Sequence, residues 1–186
     1  MDEGARVLGG KGEFAIITAT LTASNLNKWR AVIEKRLAEK YPDIKLVVTR
    51  PCDDLSEKAR AEAKTIMSAH PNVKLIMAIC SPSVPAAAEA VKQSGRTDVK
   101  VVGLGLPNDN KLYVKDGITE TVILWKTEDL GYLAVQAAYA AGKGLLKAGE
   151  KKFDVKGMGA FEIQGSDIIL GDPFKFTKAN IDQFNF

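Results

Sequence analysis

The sequence predicts an α/β fold, a doubly wound parallel sheet with a β-hairpin extension near its C-terminus. Two observations predict the sheet. Short apolar runs alternate with segments of helical periodicity. Those runs are nearly continuous instead of alternating with polar residues, as in strands covered on both faces. A third observation sets the tail apart. Residues 161–163 and 168–170 are apolar-rich and flank Gly165-Ser166 with no room for a helix between them, which reads as a hairpin.

Each element follows from its own pattern. Residues 1–8 look like the last turns of a helix, stopped by Gly9-Gly10. No strand precedes them, although a doubly wound domain ordinarily opens with one, so this start is expected to be a cut edge. Residues 14–18 form the first strand. Residues 25–41 carry Trp29, Val32, Ile33, Leu37 and Tyr41 at helical spacing, and Pro42-Asp43 ends that helix. Residues 44–49 are the second strand. Residues 56–70 are a helix with Ala59, Ala63, Ile66 and Met67 on one face and Ser56 as a candidate cap. Residues 74–79 make the third strand, and 82–93 a helix with Val84, Ala87, Ala88 and Val91 inward. Residues 99–104 are the fourth strand, 111–115 a helical turn, and 121–125 the fifth strand. A long helix over 127–147 lines up Leu130, Leu133, Ala134, Ala137, Ala138 and Leu145. Beyond the hairpin, residues 174–176 are extended and 180–184 make one helical turn.

Composition narrows the function. The 186 residues are 46% hydrophobic and 26% charged, enough for a core and too apolar for a disordered chain. A net charge of +3, from scattered basic residues, gives no footprint for nucleic acid. No run approaches the roughly 20 apolar residues of a membrane-spanning helix. The N-terminus shows no basic start followed by an apolar run, so no signal peptide is read in it. Cys52 and Cys80 are too few for a disulfide framework, and with His70 too few for a structural zinc site.

In an open parallel sheet, ligands bind beyond the C-terminal ends of the strands. The segment 20–27 follows the first strand and is rich in small polar groups, among them Thr20, Thr22, Ser24, Asn25 and Asn27. It suits hydroxyls or anions at a helix N-terminus, or else Ser24 or Asn25 simply caps the helix. Cys80-Ser81-Pro82-Ser83 follows the third strand. A nucleophilic cysteine would need a base, and His70 falls on the opposite edge, so a small buried cysteine is the better reading. With strands two and three flanking strand one, Cys52 and Cys80 are expected about 10 Å apart, beyond disulfide reach unless the loops lean together. Trp125 and Lys126 close the fifth strand, either as a sugar-contact pair or with Trp125 in the core. Gly9-Gly10-Lys11-Gly12 lacks the ending and the position of a phosphate loop. Asp53-Asp54 reads as a pair of acids helping to start the following helix.

These loops carry a family resemblance. Residues 17–29 (ITATLTASNLNKW) and 79–90 (ICSPSVPAAAEA) resemble stretches of rhamnose-binding and autoinducer-2-binding periplasmic proteins of ABC transporters. So do residues 102–108 (VGLGLPN), 124–127 (LWKT), 170–174 (LGDPF) and 176–186 (FTKANIDQFNF). The likeness covers nearly the whole chain and is nearer the rhamnose-type branch. The autoinducer-2 receptors are similar at Asn27 and Trp29 but carry an Asp where Asn25 stands. Their backbone-contact Pro and Ala correspond to Ile79 and Ser81. Many pentose and hexose binders place an Asp at the position of Gly105.

The resemblance implies a type I periplasmic-binding-protein lobe with no catalysis and no cofactor. Its expected ligand contacts are Asn25, Asn27, Ile79, Cys80, Ser81, Gly105, Trp125 and Lys126. Partners would be a sugar and the membrane permease of an ABC importer, in a periplasmic or extracytoplasmic setting. Residues 1–126 and 148–186 are expected to form the C-terminal lobe. The helix 127–147 is expected to belong to an absent first lobe, its apolar stripe left as a possible homodimer surface. An isolated lobe is expected to bind sugar weakly or not at all. Two other readings stand beside this one: a self-associating or fragment-complementing module, and a repressor effector domain, which would need a helix-turn-helix absent here.

Overall fold

A computed structural model describes residues 1–186. It divides into two compact units, Met1–Leu124 with Lys175–Phe186, and Trp125–Phe174. The first unit holds the parallel sheet, with strands β1 (Gly12–Thr18), β2 (Ile44–Pro51), β3 (Val73–Ala78), β4 (Lys100–Leu104) and β5 (Thr119–Leu124). Strand β9 (Phe174–Phe176) adds a sixth member, giving the order β2-β1-β3-β4-β5-β9. The pairs β1–β2, β1–β3, β3–β4 and β4–β5 are parallel. Every residue from Phe14 to Thr18 is buried, which is why the sequence there shows no alternation.

Helices cover both faces, and side-chain alternation along β3 proves it. A Cβ on Gly4, in helix α1 (Asp2–Val7), would touch Leu75 at 3.0 Å and Met77 at 3.3 Å. Gly103 of β4 pairs with Ala78 and faces Val84 of helix α4 (Ser83–Ser94). Residues 75 and 77 therefore look to one face and residue 78 to the other. Helix α2 (Ser24–Lys40) joins α1 through Arg36, whose Nε and Nη2 donate to the two Asp2 carboxylate oxygens at 2.8 Å each. Helix α3 (Ser56–Ala69) packs against α4, and helix α5 (Pro107–Lys115) against α4 and β5. This is the predicted doubly wound arrangement.

Local expectations were met unevenly. Gly9 and Gly10 do stop α1, with φ of 62° and 84°, and the Gly10 N–H donates to the Ala5 carbonyl. The capping expectations fail. Ala23 and Leu55 occupy the N-cap positions of α2 and α3 without a side-chain cap, so Ser24, Asn25 and Ser56 lie inside their helices. Asp53 and Asp54 precede the helix, as expected. Both adopt left-handed backbone, φ 52° and 60°, in the turn before α3, and the Asp53 carboxylate pairs with Lys58 at 2.6 Å. Helix α5 spans nine residues instead of one turn, opened by Pro107 at its start.

The second unit contains helix α6 (Thr127–Gly142) and an antiparallel sheet of β6 (Lys152–Val155), β7 (Gly159–Gln164) and β8 (Asp167–Ile169) in that order. The predicted hairpin is β7–β8, turning at Gly165-Ser166. Strand β6 was not anticipated. Helix α6 ends five residues before the predicted Lys147. Gly144 takes a left-handed φ of 69°, and the Leu145 and Leu146 N–H groups both donate back to the Ala140 carbonyl. Of its apolar residues Leu133 is buried, while Leu130, Val135 and Tyr139 are exposed. No helix is long and apolar enough to cross a membrane.

Candidate ligand-binding edge

The strand order reverses direction at β1. The chain leaves β1 toward β2 on one side and returns to β3 on the other, so the loops after β1 and β3 diverge at a topological switch point. The segment after β1 is the polar stretch expected from sequence. Its geometry is fixed from within. Asn27 Nδ2 donates to the Leu21 carbonyl at 2.8 Å, its Oδ1 accepts from Arg30 at 3.3 Å, and the Thr20 and Thr22 hydroxyls bond each other at 3.2 Å. Asn27 is thus committed to holding the loop. Asn25 is exposed in the first turn of α2.

The loop after β3 is built differently. Ile79 and Cys80 are buried and Ser81 is exposed. The Ile79 N–H continues the ladder to the Ile17 carbonyl at 2.9 Å. Ser83, which the sequence reading passed over as a contact, closes the turn. Its hydroxyl donates to the Cys80 carbonyl at 2.6 Å and accepts from the Cys80 N–H at 3.3 Å. The signal for this role was the Ser-Pro-Ser spacing ahead of an alanine-rich helix.

Gly105 follows β4 and is buried beside that loop. A Cβ there would lie 2.9 Å from Asn110 Nδ2 and 3.6 Å from the Ser81 carbonyl. The missing side chain therefore leaves room for the Asn110 carboxamide, which donates to the Leu106 carbonyl at 2.8 Å. Asn110 is fully buried and its Oδ1 has no partner in the chain, as is also true of the Thr18 hydroxyl at the end of β1. Neither residue stood out in the sequence.

The expected separation of Cys52 and Cys80 is overturned. Their sulfurs lie 3.5 Å apart, both buried and both unoxidised. The Cys52 and Asp53 N–H groups donate to the Thr18 and Ala19 carbonyls at 2.8 and 2.7 Å, which draws the loop after β2 inward over the end of β1. His70 ends α3 and precedes β3, at the opposite edge of the sheet from Cys80.

Trp125 and Lys126 open the second unit. Trp125 is half-buried, not a core residue. The Lys126 ammonium is exposed, sits 5.2 Å from the Phe174 ring centroid and lies 3.9 Å from Asp129.

The fold as a whole has known counterparts. The family described as periplasmic binding protein domain matches residues 2–145. The chain belongs to that family. An ABC transporter solute-binding protein from Clostridium phytofermentas with bound L-rhamnose superposes with a TM-score of 0.92 at 30% identity, over 98% of this chain and 62% of that one. LsrB from Clostridium saccharobutylicum in complex with AI-2 gives 0.83 at 26% identity, over 94% of this chain and 59% of that one. The D-apiose import binding protein of Actinobacillus succinogenes is 25% identical over 94% of this chain and 53% of its own length. This periplasmic binding protein domain thus spans about half the length of that relative.

Proposed function

We propose that this chain acts in sugar uptake, as part of the solute-binding component of an ABC importer for a rhamnose-like deoxysugar or an autoinducer-2-like ligand. One observation carries the proposal. The loops that diverge at the switch point, after β1 and after β3, present the polar segment 20–27 and the Ser81 loop, in a fold shared with a rhamnose-bound protein. Asn25 and Ser81 are exposed and supply hydroxyl-binding groups there. Asn27, Ile79, Cys80 and Gly105 shape the wall behind them. Trp125 offers a ring face to a sugar and Lys126 a donor. The setting would be extracytoplasmic and the further partner a membrane permease.

The reading includes a second wall outside these residues. The chain spans 53% of the apiose-binding relative and 62% of the rhamnose-bound one. In this reading residues 1–126 and 148–186 form one lobe, and α6 packs against the other. A single wall makes part of the contacts, and each 1.4 kcal/mol lost weakens binding tenfold. The test is NMR titration of the labelled chain with millimolar L-rhamnose, against a panel of pentoses and hexoses. Amide shifts confined to residues 20–27, 79–83, 105–110 and 125–126, with affinity weaker than about 100 μM, are expected. No shift with any sugar would sink the sugar reading. Nanomolar binding would sink the second wall.

A second reading rests on α6. Val135 is 67% exposed and Tyr139 60%, an apolar face suited to self-association. Analytical ultracentrifugation separates the two: a dimer that V135E/Y139E dissolves favours the interaction module, and a monomer at 100 μM, as an order-of-magnitude working concentration, excludes it.

A further inference from the structure

Two buried thiols meet at the ligand edge of the sheet. Cys52 follows β2 and its N–H donates to the Thr18 carbonyl of β1, while Cys80 follows Ile79, whose N–H donates to the Ile17 carbonyl of β1. In a flat sheet, side chains two strands apart are about 10 Å from each other. Here β1 stops at Thr18, and the Cys52 and Cys80 sulfurs close over its end to 3.5 Å. A separation of about 2 Å completes a disulfide, so the sulfurs need to approach by only about 1.5 Å. Both belong to loops rather than to ladder positions, and loops supply that movement most readily.

We infer that Cys52 and Cys80 form a reversible disulfide, a covalent clasp that ties the loop after β2 to the Cys80–Ser83 turn.

The chemistry around the pair suits it. Hydrogen bonding from Cys80, helped by the Asp54 and Leu55 N–H groups, holds the Cys52 thiol down at about 7, against a burial effect that raises it. The same hydrogen bond to Cys52, with burial, pushes Cys80 up. Cys52 is thus the more readily ionised of the two thiols and Cys80 the one that holds its proton longer. Cys52 is fully buried and Cys80 is 5% exposed, so the oxidant must be small, and a peroxide fits. The Cys52 thiolate attacks one peroxide oxygen. The O–O bond breaks, one oxygen leaves as water after taking a proton, and the other stays on sulfur as a sulfenic acid. The Cys80 sulfur then attacks the Cys52 sulfur. The S–S bond forms, the S–O bond breaks, and hydroxide leaves with the Cys80 proton as a second water. Two electrons pass from two thiols to one peroxide.

The clasp closes a loop of about thirty residues and so restricts the unfolded chain. It also fixes Cys80, whose carbonyl and N–H anchor the Ser83 hydroxyl. Two consequences follow, a higher melting temperature and a stiffer Ser81 loop. Only the second bears on the proposed sugar site; formation of the bond is independent of it.

The experiment treats the reduced full chain with a small excess of hydrogen peroxide, then takes an intact mass and a non-reducing peptide map. The expected result is a monomer lighter by about 2 Da, with the Cys52 and Cys80 peptides linked, and a melting temperature raised by about 10 °C that dithiothreitol reverses. C52A leaves peroxide with no effect on the melting temperature. Retained thiols, separate sulfinic acids or linkage between two chains would each overturn the inference. A bond that forms without raising the melting temperature would overturn the clasp. The reduced and oxidised forms of the unsubstituted chain decide the matter even if C52A does not fold.

Discussion

The Asn27 carboxamide donates to the carbonyl of Leu21, six residues earlier, at 2.8 Å, while accepting from Arg30 at 3.3 Å. A side chain expected to meet a ligand instead braces the loop that presents its neighbours. Asn27→Ala should cost about 1 kcal/mol of stability, the net worth of a typical hydrogen bond. It should also speed amide exchange at residues 20–23. Asn27→Asp keeps the acceptor for Arg30 and loses only the donor, so the same loosening without loss of the Arg30 contact is expected. Hydrogen exchange by mass spectrometry reads both. Unchanged protection at 20–23 in both variants would show that Asn27 does not hold the loop.

Gly103 and Gly131 should respond to alanine in opposite directions. A Cβ on Gly103 would lie 1.9 Å from the Ala78 carbonyl oxygen and 2.7 Å from Val84, inside the β3–β4–α4 packing. Backbone cannot yield there, so Gly103→Ala should cost about 3 kcal/mol or more and lower the melting temperature by roughly 6–12 °C. Gly131 stands in α6 with nothing within 4 Å of its would-be Cβ. Gly131→Ala should stabilise that helix by up to about 1 kcal/mol. Thermal melts followed by circular dichroism distinguish them.

Gly105 and Asn110 should be coupled. Alanine at 105 collides with the Asn110 amide at 2.9 Å. Removing that amide in Asn110→Ala costs its bond to Leu106 but clears the space. The double variant should therefore be more stable than the sum of the singles, by about 1 kcal/mol. Denaturant unfolding of all four chains closes the cycle, and strict additivity would mean that the two side-chain volumes do not compete.

Asp98 gives a pH signature. Hydrogen bonds from Arg96 and then Lys74 hold its carboxyl below the ordinary value of 3.8. A carboxylate whose folded pKa is depressed contributes stability that is fully present above its unfolded value and lost as pH falls toward the folded one. The advantage of the unsubstituted chain over Asp98→Asn should hold at pH 6 and shrink between about pH 4 and pH 2. The effect will be small, because the pair is exposed to solvent. Melting temperatures across that range test it, and a gap that widens in acid would contradict the sign.

Much of this fold was legible because burial writes itself into local pattern. Phe14 to Ile17 and Leu75 to Ala78 are buried on both faces of the sheet, so their sequence is unbroken apolar. The elements that escaped lack such a record. Lys152-Phe153-Asp154-Val155 is a half-exposed strand beside glycine-rich turns, with too little apolar content to show a period. Helix α5 opens Pro107-Asn108-Asp109-Asn110, polar residues that hide a helix start, although Pro107 at its first turn was a usable sign.

The binding edge divides in the same way. The sequence by itself determined the fold class, the loops that face the ligand edge and the family resemblance, because each depends on residues adjacent in the chain. Tertiary structure decided what those residues do. Convergence of Gly105 with Asn110 and Ser81 depends on how the ends of β3 and β4 line up and where α5 begins. The approach of Cys52 to Cys80 depends on β1 ending between them while two loops close above it. A residue spacing records neither event, since each is set by strand length and backbone turn on separate elements.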